Sequence, residues 1–239
     1  MSGGGRGSRV RGGRAPVGGG PRGGGPRVGG PRGEATILDV PAASGIVLAG
    51  GRSTRFGRDK LAEPLRGRPL VHWSILALAS VCTEVVVVVP PIGNPPPLPS
   101  VREIGVPIRV VRDPEPAGGP LVGLLAGVER AAESTALAVG GDMPGLVPDV
   151  LATLLRALAA SDAAAAALVL RGRLQPLPAA VRTGAATDAA RALVAGGERR
   201  LQSLLGALLV RELDEGEWRA LDPTAATLRD VDLPEDLGT

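Results

Sequence analysis

Short apolar runs alternate along this chain with longer stretches in which apolar side chains recur every three or four positions. Residues 44–49 (SGIVLA), 108–111 and 135–140 (TALAVG) predict strands. The β-branched run at 84–90 (EVVVVVP) is apolar on both faces, as in a parallel sheet covered on both sides. Residues 69–81 (PLVHWSILALASV) have helical spacing behind a proline suited to a first turn. Leu121, Leu124, Leu125, Val128 and Ala132 share one helical face, and Val147, Val150, Leu151, Leu154, Leu155 and Leu158 mark a strongly amphipathic helix. Residues 163–182 read as two strands parted by an Arg-Gly-Arg turn at 171–173. A helical stretch follows over 185–206, broken at Gly196 and Gly197, and late strands are expected at 207–213 and 227–231. The stretch IGNPPPLPS carries too many prolines for regular structure and is a loop.

Strands that alternate with helices imply crossover connections and an open twisted sheet of the α/β class. Ligands of such sheets bind beyond the carboxyl ends of the strands. Three strand ends carry unusual loops, after Ala49, Val111 and Gly140, so one site built from all three is expected.

Composition changes this picture mainly at the N-terminus. The chain has 239 residues, 44% of them hydrophobic, enough for one α/β domain with a proper core. Residues 1–34 are a Gly/Arg/Pro-rich stretch with seven arginines and one acid, expected to be a disordered tail ahead of a domain over 35–239. Without that stretch the charge of +3 becomes −3, so the basic character belongs to the tail. The tail reads either as an Arg-Gly arm for RNA or as a solvated extension, including a misassigned start with initiation at Val28 or Val40. The single cysteine, Cys82, and single histidine, His72, exclude a disulfide framework and a Cys- or His-rich metal site. Cys82 is expected to be a buried inert thiol, and His72 and Trp73 to be packing residues. Two Trp, one Phe and no Tyr argue against stacking-based nucleic-acid binding. No membrane span or signal-peptide core is visible, so a cytoplasmic protein is expected.

The first loop belongs to LAGGRSTRFGRDK, residues 48–60. It is neither a Walker A loop nor G-x-G-x-x-G. Gly50 and Gly51 nevertheless let backbone N–H groups approach an anion, and Arg52, Arg55, Arg58 and Lys60 supply cationic donors. The same composition would also suit a solvated surface turn. In the second loop, VRDPEPAGGPLVG at 111–123, Asp113 stands either as an acceptor for a ribose or base, or as a solvated residue of a helix-entry turn. In the third, GGDMP at 140–144, Asp142 is either a Mg²⁺ ligand or a cap for the following helix.

Together these loops resemble the molybdenum cofactor guanylyltransferases, a family of nucleotidyltransferases with a Rossmann-like fold. LAGGRSTRFGRDK is similar to that family's L-A-G-G-x-S-x-R-[MF]-G-x-D-K, GRPLVHW at 67–73 to G-[KR]-P-L, and GGPLVG at 118–123 to G-P-L-x-G. GDMP matches C-D-M-P with Gly141 in place of the cysteine, QPLPAAVR at 175–182 a Q/H-P-L element, and LRDVDLPEDL at 228–237 the C-terminal N-x-N-T-P-E-D-L. The resemblance spans about residues 44–237. It implies a three-layer α/β/α fold with a mostly parallel sheet, and transfer of GMP from GTP to molybdenum-molybdopterin with release of pyrophosphate. It further implies that Leu48, Ala49, Gly50, Gly51, Lys60, Asp113, Gly119, Pro120 and Asp142 contact the nucleotide. Arg55, Lys60 and Asp142 would be catalytic, with Mg²⁺ as cofactor on Asp142; Asp232, where this chain departs from the family, stands either as a further metal ligand or as a change in acceptor binding. Acceptor molybdoenzymes or their chaperones would be the protein partners. Asp230 and Asp232 replace the family's two asparagines, and the family's Asn after the second strand has only Asn94 as a counterpart. The alternatives are a cytidylyltransferase or another NTP transferase of the same fold, or a non-catalytic nucleotide- or RNA-binding protein that uses the Arg/Gly tail. Ser53, Asp59 and Lys60 favour the guanylyl reading.

Overall fold

The strand β1 (Ser44–Leu48) lies at the centre of a seven-stranded sheet, with parallel neighbours on both sides. The computed structural model describes Met1 and residues 40–50, 59–116 and 118–231. From residue 40 on, these fall within one unit, Ile37–Thr239. The expected tail and its boundary at 34/35 lie outside the described residues.

After β1, a short 3-10 turn (Lys60–Ala62) leads into a two-stranded ribbon of β2 (Pro64–Leu65) and β3 (Arg68–Pro69). Helix α1 (Leu70–Ala79) starts directly behind Pro69, as its sequence predicts. The chain then lays down β4 (Glu84–Val89), passes the proline-rich loop and the one-turn α2 (Val101–Ile104), and reaches β5 (Ile108–Arg112) at one sheet edge. Helix α3 (Pro120–Val128) carries it back across the sheet to β6 (Thr135–Gly140), on the other side of β1. That reversal opens a crevice beyond the strand ends. Helix α4 (Pro148–Ala159), the hairpin β7 (Ala165–Leu170) and β8 (Arg173–Arg182), helices α5 (Thr183–Ala195) and α6 (Leu201–Ala207), strand β9 (Val210–Leu213) and the short α7 (Glu215–Trp218) complete the order. The strands run β5-β4-β1-β6-β8-β7-β9. Four of the six pairings are parallel; β8 is antiparallel to both β6 and β7. In the β7–β8 turn, Arg171 and Gly172 have φ of 50° and 70°, the mirror-image two-residue turn that matches strand twist.

Alternation along the strands divides the core into two layers. Val85, Val87 and Val89 of β4 pack with Leu70, Ile75 and Leu78 of α1 and with the α4 leucines. Val86 and Val88 point the other way, into the layer with Leu121 and Leu124 of α3, Ala186 and Ala190 of α5, and Leu204 of α6. Each fully buried valine contributes about 1.5–3 kcal/mol from apolar surface removed from water. The three-layer α/β/α arrangement follows. Gly127 lets α3 press on β1, since a Cβ there would lie 2.7 Å from Ile46 Cγ2. No described helix is long and apolar enough to cross a membrane.

One expected strand is absent. Residues 227–231 form no ladder; the segment begins inside a 3-10 turn, Ala226–Leu228. The backbone N–H groups of Ala226 and Thr227 donate to the buried Asp222 carboxylate, at 2.9 and 2.8 Å. A strand would need those donors for its neighbour.

Candidate active site

The carboxyl ends of β1, β4 and β5 and the start of α3 enclose a cleft of about 450 Å³. Leu48 and Gly50 contribute from β1, Val88, Pro90, Pro91 and Ile92 from β4 and its exit loop, and Asp113 and Glu115 from the β5 exit. Gly119, Pro120 and Gly123 form its floor at the head of α3. Five of the sequence-predicted residues, Leu48, Gly50, Asp113, Gly119 and Pro120, therefore meet here. Ala49 is buried beside them, its N–H donating to the Val88 carbonyl at 2.8 Å.

Asp113 is placed by its own backbone, whose N–H donates to Val89 O at 2.8 Å and so extends the β4–β5 pairing by one step. Its Oδ1 accepts the Glu115 N–H at 3.0 Å, and its Oδ2 lies 3.7 Å from the position a Gly123 Cβ would take. Burial pushes its carboxyl above the ordinary value; the Glu115 N–H opposes that and the Glu115 charge adds to it. The side chain is thus both a turn acceptor and a partly desolvated group facing the cleft.

Gly119 makes the head of α3 possible. Its φ of 86° belongs to the left-handed region, and a Cβ would lie 2.8 Å from Arg199 Cβ. Arg199 also reaches the rim: its carbonyl accepts the Leu121 N–H at 3.1 Å, and its guanidinium lies 3.2 Å from Glu115.

Lys60 and Asp142 form a second centre, beside β1 at the end of β6. Lys60 Nζ donates to Asp142 Oδ2 at 2.6 Å and to the Val231 carbonyl at 2.9 Å. The Val231 N–H in turn donates to the Asp142 carbonyl at 2.9 Å. Val231 is thereby tied to the third loop through Asp142 and to the first through Lys60. Gly141 joins this centre to the cleft, its N–H donating to Leu48 O at 3.0 Å. Gly140 leaves room for the carboxylate, since a Cβ there would lie 2.6 Å from Asp142 Oδ1. Ser74, buried on α1, holds the loop from below through the carbonyls of Gly140 and Met143, at 2.9 and 3.2 Å. Asp142 does not cap α4, whose N-cap is Val147 with no side-chain bond. That removes the bland alternative for this residue. Among the described residues, no group of three or more His, Cys, Asp or Glu side chains could hold a metal ion.

Gly51 and Arg55 in the first loop, with Arg52, Arg58 and the C-terminal Asp232, lie outside the described residues. Glu115, Arg199, Ser74 and the Val231 carbonyl were not singled out from sequence. Ser74 left a signal, as the polar side chain among the buried residues of an apolar helix. Glu115 stands two positions after Asp113 in the second loop, whereas Arg199 and the Val231 carbonyl meet the site only through contacts distant in sequence. Trp73 packs against the core as expected and donates to the Leu65 carbonyl at 3.1 Å, whereas His72 donates to the Pro97 carbonyl at 3.0 Å in an exposed contact. Cys82 is buried, and burial pushes its thiol up to about 12.

The chain is similar to known proteins along most of its length. The MobA-like NTP transferase domain matches residues 45–213. The chain is 37% identical over 198 residues to a probable molybdenum cofactor guanylyltransferase of Chloroflexus aggregans, covering 81% of this chain and 91% of the relative. It is 36% identical over 174 residues to one of Mycobacterium tuberculosis, covering 71% and 82%. In fold it is similar to the molybdopterin-guanine dinucleotide biosynthesis protein A of Archaeoglobus fulgidus, with a TM-score of 0.64 and 20% identity over 82% of this chain and 95% of that one. It is also similar to a 2-C-methyl-D-erythritol 4-phosphate cytidylyltransferase of Thermus thermophilus, with a TM-score of 0.58 and 19% identity over 81% and 94%. Matched across most of its length, the chain belongs to the MobA-like NTP transferase family.

Proposed function

We propose that this chain transfers GMP from GTP to molybdenum-molybdopterin, giving the guanine dinucleotide form of the cofactor and pyrophosphate. The observation that carries the reading is the placement of Leu48, Gly50, Asp113 and the paired Lys60 and Asp142 at the carboxyl ends of neighbouring strands, in a chain of this family. The two centres divide the nucleotide by charge. The cleft has apolar walls in Val88, Pro90, Pro91 and Ile92, and its ionisable side chains among the described residues are the acids Asp113 and Glu115. A triphosphate is repelled there, whereas a base and ribose fit. Guanine presents two donors, N1–H and the 2-amino group, on its pairing edge; cytosine presents one donor and two acceptors. Carboxylate acceptors therefore favour guanine. The phosphates fall to the side of Lys60 and the first loop, for which Arg55 and Gly51 are the proposed further contacts.

The residues at Asp142 fit a divalent ion. Mg²⁺ needs only one or two carboxylates when substrate phosphates and water complete its octahedron. Asp142 supplies such an oxygen at the strand end with 26% of its side chain exposed, and the Lys60 ammonium on it marks the place as one for positive charge. Mg²⁺ would be held by Asp142, with Asp232 as a proposed second ligand, and would neutralise charge on the reacting phosphates. In the reaction, an oxygen of the acceptor's terminal phosphate attacks the α-phosphorus of GTP in line. One P–O bond forms as the bond to pyrophosphate breaks. That phosphate is already ionised near neutral pH, so the chain needs no general base. Lys60, released from Asp142 to the phosphates, offsets negative charge on the leaving group, while the cleft holds the nucleoside in position. The reading sets this chemistry in the cytoplasm, with acceptor molybdoenzymes or their chaperones receiving the product. It is tested by pyrophosphate release from GTP, Mg²⁺ and molybdenum-molybdopterin. Release that requires all three supports it, and folded protein with no release under those conditions refutes it.

A further inference from the structure

Six of the ten residues at 90–99 are proline, and Pro90, Pro91 and Ile92 form one wall of the cleft. Proline keeps its carbonyl but has no N–H, so such a loop cannot close its own hydrogen bonds. Something else must accept the task of holding it. Arg112, the last residue of β5, does this: its Nη1 lies 3.1 Å from the Pro90 carbonyl, 3.3 Å from that of Pro91 and 3.1 Å from that of Gly93. The loop's far end is tied by His72 to the Pro97 carbonyl at 3.0 Å. Both ties are side chains reaching across from other elements.

We infer that Arg112 is a positioning residue for nucleotide selection: its Nη1 shares its two N–H groups among the Pro90, Pro91 and Gly93 carbonyls of the β4 exit loop and so fixes the apolar wall against which the base lies. The inference rests on the proposal that the cleft takes the nucleoside. Arg112 itself is exposed and does not line the cleft, and it follows β5 directly before Asp113, so one strand end sets both the wall and the acidic acceptor. Ile92 is 81% exposed, so little burial holds it in place without the clamp.

The test compares the full-length chain with Arg112→Ala and Arg112→Lys in three measurements. Heteronuclear ¹⁵N relaxation at the amides of Ile92, Gly93 and Asn94 reads the order of the loop backbone. GTP and CTP affinities are measured with Mg²⁺, and steady-state pyrophosphate release separates kcat from KM. For Arg112→Ala we expect lower order at those amides and a KM for GTP raised about tenfold, equivalent to about 1.4 kcal/mol of binding. The preference for GTP over CTP narrows, kcat stays within about twofold because the phosphate centre is untouched, and Arg112→Lys falls between. Unchanged loop order overturns the clamp. Lower order with unchanged GTP affinity overturns its role in nucleotide selection. A wild-type chain that binds no GTP would refute the nucleotide reading instead, and loop order alone would then decide whether the clamp exists.

Discussion

Replacing Asp142 by Asn separates the chemistry of the site from its architecture. The substitution keeps the side chain's shape and one acceptor oxygen for Lys60, and removes a single charge. The main-chain bond from Val231 to the Asp142 carbonyl, at 2.9 Å, is untouched. The loss in stability is therefore confined to one ion pair, 2.6 Å long, with side chains 17% and 26% exposed. A charge-assisted hydrogen bond contributes about 1.5–3 kcal/mol when shielded, and contact with water reduces it toward the value of about 1 kcal/mol seen at surfaces. Turnover should suffer far more. The variant lacks the proposed anionic ligand for a divalent ion and the counter-charge paired with Lys60. A loss of at least about 10³-fold, roughly 4 kcal/mol of transition-state stabilisation, is expected. Urea unfolding gives the first number and pyrophosphate release the second. Turnover within tenfold of wild type would refute the role given to Asp142. Loss of the cooperative unfolding transition together with turnover would make the residue structural.

Three further predictions test other parts of the account. Gly119→Ala places a Cβ 2.8 Å from Arg199 Cβ at a φ of 86° and ψ of 168°, so GTP affinity should fall at least about tenfold, with this positive-φ extended backbone alone costing about 1–3 kcal/mol; isothermal titration with GTP measures it, and wild-type affinity would contradict the geometry of the α3 head. Asp222 is buried, which by itself would raise its carboxyl, but hydrogen bonds from the Thr227 and Ala226 backbone, the Thr227 side chain and the Thr224 hydroxyl together hold it below its ordinary 3.8. A depressed folded value means its contribution is full above the unfolded value and is lost as pH falls below about 3.8 toward the folded one; Asp222→Asn should lower stability by about 2 kcal/mol at pH 7 and flatten this acid limb, read by urea unfolding between pH 2 and 7. Cys82, with its thiol at about 12, should ignore a thiol reagent such as dithiobisnitrobenzoate at pH 8 in the native protein and react fully in denaturant.

Much of this fold is legible because burial on both faces leaves a strong mark. The valines of β4 and the leucines of α4 can belong only to elements covered by other elements, and the strands appear where those runs lie. The hairpin is equally plain, since Arg-Gly between two apolar runs suits a two-residue turn. The misread segment, 227–231, shows what pattern alone lacks. Its alternating residues suit a strand, but the donors of Ala226 and Thr227 are claimed by Asp222, a carboxylate whose burial only the tertiary structure reveals. The site divides in the same way. Asp113, Lys60 and Asp142 stand beside apolar strands or in a distinctive loop, so their placement could be read. The Val231 carbonyl meets Lys60 across 171 positions, and Arg199 meets Glu115 across 84. No spacing rule connects residues so far apart. Arg112 was hidden for another reason: a surface arginine at a strand end looks solvated until the proline loop beside it is seen to lack donors.

The central claim is guanylyl transfer, and nucleotide selectivity tests it most directly. The full-length chain, Mg²⁺ and molybdenum-molybdopterin would be incubated with GTP, CTP, ATP or UTP, and pyrophosphate release followed. The account predicts release with GTP at least about tenfold faster than with any other nucleotide, because the cleft's carboxylates accept the two donors of guanine. Preference for CTP, or equal rates with all four, would contradict it.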